Sequence, residues 1–144
     1  IIMFNFLKKK ESSKLEEIDI ISKTASLLIH AAKIDKNYTN DEKTIIEKTL
    51  IELGANKEKI NELMKRAEKN EENSNQILDF TKDIKSANQN FKTKLIESLW
   101  KIIYSDKTSD IYESNLMRRL SGLLYLDNKM VGDIKEKIKK KLNR

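Results

Sequence analysis

Two stretches of the chain follow the same pattern: AKIDKNYTNDEKTIIEKTL (residues 32–50) and IIYSDKTSDIYESNLMRRL (residues 102–120). In each, an Asp stands at the head of a polar loop, a Glu follows seven residues later, and apolar residues with helical spacing come next. Each loop ends in a cap-type residue with the Glu three positions after it, a pair that typifies a helix N-terminus. The shared pattern predicts two helices that each begin at a capped acidic loop.

The two halves of the chain come into register when one is shifted by 71 residues, the separation of Asp35 and Asp106. Apolar positions then coincide, and so do Asn56 and Asp127, which suit the caps of the next helices. This predicts an internal duplication of a unit made of a helix, an acidic loop, a capped helix, a short turn and a second capped helix. The predicted repeats cover two segments: residues 28–69 and residues 99–140.

The composition points to helices throughout. The chain has 144 residues, no proline and only three glycines, so the turn residues that strands and hairpins need are scarce. The polar stretch over residues 70–75 predicts a loop. Helical periodicity and caps predict seven helices: from Ser13 to about Lys33, from Thr39 to Leu53, from Asn56 onward, over 76–86, over 89–104, over 110–125 and from Asp127 onward. We expect an all-α fold, a compact seven-helix domain of two pseudo-repeated three-helix units over residues 13–144, after an N-terminal tip of residues 1–12.

Residue usage excludes several kinds of site. Cysteine is absent and His30 is the single histidine, so disulfides, thiolate or His-rich zinc sites and His-based triads are excluded. Glycine-rich phosphate loops are absent as well. His30 falls on the polar face of the first predicted helix, which predicts a solvated side chain. Trp100 lies one position from the apolar row of its helix and is predicted to be a packing residue.

The acidic loops allow two interpretations. In the first, the carboxylates and cap residues only satisfy free amides at helix N-termini. In the second, they bind a divalent cation, calcium or magnesium, because hard cations take carboxylate and carbonyl oxygens. An EF-hand is excluded, because its glycine and final glutamate positions hold Asn40 and Ile46 in the first copy. The candidate metal ligands are six carboxylates: Asp35, Asp41, Glu42, Asp106, Asp110 and Glu113.

At these residues the chain resembles the tellurite-resistance protein B (TerB) family, over roughly residues 3–142. That family shows Ala-x-x-Asp-Gly, a few polar residues and then a Glu at a helix start, twice. Ala32-Lys-Ile-Asp35 matches the first copy, and Tyr104-Ser-Asp106 matches the second. The chain departs from the pattern because lysine replaces the glycine after each Asp and because it is basic overall.

The resemblance implies a seven-helix fold without enzyme activity and a link to resistance to tellurite and other stresses. It also implies an acidic surface that binds a divalent metal, and a scaffold role with protein partners near the inner membrane face. Because the apolar N-terminal residues precede the first lysines, the reverse of a secretory signal, we expect a cytoplasmic protein.

Two rival hypotheses come from other features. The formal net charge of +6 and a lysine-rich C-terminus allow a nucleic-acid-binding domain, which the numerous acidic residues disfavour. The same lysines, with the apolar N-terminal tip, allow peripheral association with an anionic membrane. A hydrolase that uses paired carboxylates as acid and base is the third hypothesis and the least supported.

Overall fold

The structure is a computed structural model that describes four parts of the chain: residues 19–34, 38–74, 77–105 and 111–142, without the side chains of 111–114. Within these parts the chain is helical and contains no strand, so the all-α prediction is confirmed. Seven α-helices lie in the described residues: α1 (residues 19–32), α2 (Asn40–Glu52), α3 (Ile60–Asn73), α4 (Leu78–Thr81), α5 (Gln89–Ser105), α6 (Ile111–Leu123) and α7 (Asn128–Lys141). Two 3₁₀ turns, Lys57–Lys59 and Ile84–Ser86, precede α3 and α5.

Caps that the sequence predicts set the start of the 3₁₀ turn that leads into α3 and the start of α7. The amide of Glu58 donates to the side chain of Asn56 at 2.9 Å, and the amide of Lys129 donates to Asp127 at 3.1 Å. Each bond satisfies an amide that the helix itself leaves without a partner. Gly54, just after α2, has φ of +115°, the left-handed region in which a glycine commonly ends a helix.

Helix α5 is the centre of the core and packs on both α2 and α7. Its apolar face is buried, and the hydroxyls of Thr49 and Ser98 meet at 2.7 Å where it crosses α2. Trp100 is 4% exposed and donates its indole N–H to the carbonyl of Val131 at 3.1 Å, so its predicted packing role is confirmed. The largest fully buried side chains come from four helices and a short turn: Leu27, Leu28, Ile29, Ile46, Leu50, Met64, Ile84, Leu95, Ile96, Leu99, Ile102 and Ile103.

Two predictions about the middle of the chain are wrong. Residues 70–73, predicted as a loop, are the last turn of α3. The helix predicted over 76–86 is divided at Lys82 and Asp83 into α4 and a 3₁₀ turn, and its apolar residues Phe80 and Ile84 are buried.

The capping box that was predicted for the first helix, around Ser13, lies outside the described residues, and so do Asp35 and Asp106. The duplication of whole three-helix units therefore stays a prediction. None of the described helices combines the length and the apolar character that a membrane span requires.

Candidate functional site

The first turn of α2 is held by a reciprocal pair of cap bonds. The Thr39 hydroxyl accepts from the Glu42 amide at 3.1 Å, and Glu42 Oε1 accepts from the Thr39 amide and from its hydroxyl, both at 3.0 Å. Glu42 is only 4% exposed. Its burial is tolerated because the hydrogen bonds and the positive end of the helix dipole stabilise the carboxylate. The structural role of Glu42 as a capping residue is thus confirmed.

Of the other five predicted ligands, only Asp41 has a side chain within the described residues. Asp41 is exposed in the first turn of α2. Asp35, Asp106 and Asp110 lie outside the described residues, and Glu113 is described only as part of the backbone of α6. Whether the two acidic loops come together stays a prediction. Among the side chains that are described, no three Asp, Glu or His residues are grouped closely enough to hold a metal ion.

A carboxylate group that sequence reasoning missed lies beside the first acidic loop. The Tyr38 hydroxyl donates to Glu68 Oε1 on α3 at 3.2 Å, and Lys43 Nζ lies 3.4 Å from the same oxygen. Burial raises the pKa of Tyr38 above its ordinary value, and the carboxylates of Glu68, Glu47 and Glu42 raise it further. We call Tyr38 and these three carboxylates the Tyr38 cluster. It concentrates negative charge from α2 and α3 where the loop ends.

A second polar group joins α1 to α3. His30 Nδ1 lies 3.3 Å from Glu71 Oε1, and Lys33 Nζ lies 2.9 Å from Glu71 Oε2. The His30 ring also faces the ring of Phe80, with centroids 6.1 Å apart. The prediction that His30 is simply solvated is therefore wrong, because α3 and α4 cover it on one side.

The sequence shows the spacing of these residues but not their contacts. His30 and Lys33 are three positions apart on α1, and Glu68 and Glu71 are three positions apart on α3, so each pair occupies one helix face. In the fold, His30 and Lys33 both contact Glu71, whereas Glu68 contacts Tyr38 and Lys43. Which two helices face each other requires the tertiary fold, and single-helix periodicity does not show it.

The Tyr38 cluster has limited capacity for acid–base chemistry. A phenol whose pKa lies above its ordinary value stays protonated near neutral pH, so Tyr38 donates a hydrogen bond and does not act as a base. One oxygen of Glu42 is engaged by Thr39. What the cluster offers is negative charge from two helices, balanced in part by Lys43, whose ammonium lies 3.4 Å from Glu68 Oε1.

The comparison with protein families agrees with the helical architecture. The model of the family described as tellurite resistance protein TerB matches residues 22–136, most of the chain and both acidic loops. No curated protein and no solved structure matches the chain. TerB domains are generally non-catalytic helical modules. The chain belongs to the TerB family.

Proposed function

We propose that the chain is a non-catalytic interaction module whose acidic surface, around the loop before α2, binds a divalent cation, either calcium or magnesium. The observation that carries this proposal is the Tyr38 cluster: the Tyr38 hydroxyl donates to Glu68 Oε1 at 3.2 Å, and burial, together with the negative charge of Glu68, Glu47 and Glu42, raises its pKa. Hard cations favour oxygen ligands and negative charge. The cluster supplies negative charge beside the loop, while the carboxylates of the loops themselves are the proposed ligands, because no three described acidic or histidine side chains are grouped closely enough to hold an ion. We place this binding in the resistance to tellurite and other stresses with which the family is associated.

The proposed ligands come from both acidic loops. Asp35 precedes Tyr38 by three residues in the sequence, and Asp41 is exposed on the first turn of α2, so the first loop supplies two carboxylates. Glu42 contributes its negative charge while it caps the helix. The second loop supplies the remaining proposed ligands: Asp106, Asp110 and Glu113.

The same surface suits a basic protein partner, with the cation as a bridge or as an organiser of the loop. A carboxylate surface attracts lysine- and arginine-rich segments over a distance of about 10 Å at moderate salt. We propose a protein partner of this kind, at the cytoplasmic side of the inner membrane. A hydrolase is disfavoured because Glu42, one of the carboxylates it would use, is engaged as a helix cap; turnover that Glu42→Gln abolishes would revive it.

The test of cation binding is a calcium and a magnesium titration of the full chain, followed by amide nitrogen–proton NMR. We expect shifts confined to residues 35–42 and 104–113. Sodium chloride at equal ionic strength is the control, since it screens charge without filling an oxygen site. Asp35→Asn combined with Asp106→Asn should abolish the shifts, and Glu136→Gln, an exposed carboxylate on α7, should leave them unchanged.

Two results would contradict cation binding. One is an absence of shifts at saturating calcium and magnesium. The other is an equal response to sodium chloride, which would reduce the acidic loops to helix caps.

Nucleic-acid or membrane-surface binding is the second candidate, and α7 favours it. This helix exposes four lysines along its length: Lys129, Lys137, Lys140 and Lys141. Three lysines in its last turn also complement the helix dipole, which is the structural alternative. Amide shifts confined to α7 on addition of duplex DNA or of anionic vesicles would support this candidate.

A further inference from the structure

The turn after α6 holds an aromatic residue in a conformation that favours glycine. Tyr125 has φ of +55°, and it is the only described residue other than glycine with a positive φ. A bulky side chain in this region is an outlier, because its Cβ crowds the backbone. Packing does not compensate for this strain, since Tyr125 is 75% exposed. Strain of this kind points to a role for the side chain outside the fold.

Tyr125 lies beside a second exposed apolar residue. Leu78, on α4, is 50% exposed, and both residues line one groove of about 240 Å³ between α4 and the end of α6. Gly122 forms part of the wall, and a Cβ there would meet no atom within 4 Å, so the groove is open at that point. We call this feature the Tyr125 groove. An exposed apolar pair around a concave surface is typical of an interaction site.

The charge around the Tyr125 groove is positive. Lys82 and Lys85, both exposed, line it, and no acidic residue does so among the described residues. Asp83, between them in sequence, lines a different cleft with Asp19. Lys92 adds a third cation beneath the turn, where its ammonium donates to the Leu124 carbonyl at 3.0 Å. Lys82 and Lys85 thus line the groove and the buried Lys92 lies beneath the turn. None of the three lies within salt-bridge distance of a described carboxylate.

We propose that the Tyr125 groove docks a short acidic segment of a partner protein, with an apolar side chain of that segment seated between Leu78 and Tyr125. Tyrosine is enriched among residues that dominate binding energy, because its rigid ring buries a large area at low entropic cost. The lysines complement acidic residues that flank the anchor, which improves specificity and association rate. This site is separate from the Tyr38 cluster and has the opposite charge, so it does not depend on the function proposed above.

The experiment starts with the full chain and a phage-displayed library of random short peptides. We expect enrichment of peptides that carry Asp or Glu beside Leu, Phe or another large apolar residue. The best peptide is then labelled, and its affinity is measured by fluorescence anisotropy. Tyr125→Gly should weaken binding at least about tenfold, as loss of a dominant contact does. Leu142→Ser, which changes an exposed apolar residue outside the groove, should leave the affinity unchanged.

Stability separates a contact role from a structural one. If Tyr125 served the fold, Tyr125→Gly would lower the Tm together with the affinity. Because glycine adopts a positive φ freely, we expect the Tm to stay unchanged or to rise by about 2–4 °C while binding is lost.

A charge-matched pair of variants tests the lysines. Lys82→Glu/Lys85→Glu should weaken binding at least as strongly as Tyr125→Gly, whereas Lys140→Glu/Lys141→Glu, with the same change in net charge on α7, should have little effect. Three results would overturn the proposal: enrichment of peptides without acidic residues, equal binding by wild type and Tyr125→Gly, or equal loss in both charge variants. Tyr125-dependent binding of oligo-dT or of phosphatidylserine vesicles, without acidic-peptide binding, would overturn it in favour of another class of ligand.

Discussion

The corner between α2 and α3 and the corner between α6 and α7 make the same backbone hydrogen bonds from different residues. In the first, three consecutive amides donate back into the helix with N···O distances of 2.9, 3.1 and 2.8 Å: Leu53 to Thr49, Gly54 to Ile51 and Ala55 to Leu50. In the second, the distances are 2.9, 3.3 and 2.8 Å: Leu124 to Leu120, Tyr125 to Gly122 and Leu126 to Ser121. Each residue of the second set follows its counterpart by 71 positions.

The residues beneath the corners differ more than the backbone does. Under the first, Ile21 of α1 lies 3.9 Å from the point where a Cβ on Gly54 would stand. Under the second, the position 71 residues later is Lys92 of α5, which is 7% exposed and bonds the Leu124 carbonyl. The first corner thus faces an apolar side chain across a cleft that Ile21 and Gly54 line, whereas the second is bonded by a cation on a helix C-terminus, where it complements the dipole.

The difference shows which features a helical corner requires. The three backbone bonds and the following cap are common to both, whereas the residue with positive φ and the residue beneath it are not. Gly54 takes its conformation without strain, while Tyr125 takes it at a cost and exposes its ring. We infer that the backbone hydrogen bonds specify the corner and that the side chains at these positions can serve other functions.

The largest expected effect concerns the residue beneath each corner. Lys92→Ala should lower the free energy of unfolding by about 3 kcal/mol, because it removes a charged hydrogen bond and buried methylenes and leaves a carbonyl without its partner. Ile21→Ala should cost less, about 1 kcal/mol, because Ile21 is only partly buried. Urea unfolding measures both, with Lys94→Ala, an exposed neighbour on α5, as the control. Equal costs for Lys92→Ala and Lys94→Ala would show that the second corner does not depend on its cation.

Gly54→Ala should lower the free energy of unfolding by about 1–2 kcal/mol. No atom blocks the added Cβ, so the cost comes from the positive φ alone. Gly122→Ala is the matched control: it lies in α6 with open space around it and should stabilise the helix by up to about 1 kcal/mol. Thermal unfolding of the two variants should therefore give shifts of opposite sign, and a stabilising Gly54→Ala would contradict the role of φ.

Removal of the caps should affect the two corners equally. Asn56→Ala and Asp127→Ala should each cost about 1 kcal/mol, because each leaves one amide without its side-chain acceptor. Chemical denaturation measures both costs. A difference much above 1 kcal/mol between them would break the equivalence of the corners.

Local features of this fold could be predicted from the sequence because their causes are local. The capping box of Thr39 and Glu42, the caps at Asn56 and Asp127, and the left-handed Gly54 each depend on a few consecutive residues. Their hydrogen bonds form within one turn of helix, so residue type and spacing are sufficient to identify them.

Features that depend on a distant partner could not be predicted. The polar residues 70–73 extend α3 because Glu71 bonds His30 and Lys33 of α1, a contact that no local pattern shows. The Tyr38 cluster was missed for the same reason, since Glu68 approaches from α3. Tyr125 was unexpected because a positive φ is predicted at glycine, and here the corner forms without one. For the acidic loops, the sequence predicts which carboxylates are present. Whether the two loops lie close together depends on how two pairs of helices pack, which residue spacing does not show.

The smallest expected effect tests the central claim. In this account the backbone hydrogen bonds specify the corner, and the Tyr125 ring serves to contact a partner. The measurement is the free energy of unfolding of Tyr125→Gly in urea, compared with the wild type. Relief of the positive-φ strain and the greater freedom of glycine in the unfolded chain oppose each other, so the net change should lie between zero and about 1 kcal/mol of stabilisation. A loss of 1 kcal/mol or more, as for a packing residue, would contradict the account and make Tyr125 part of the fold.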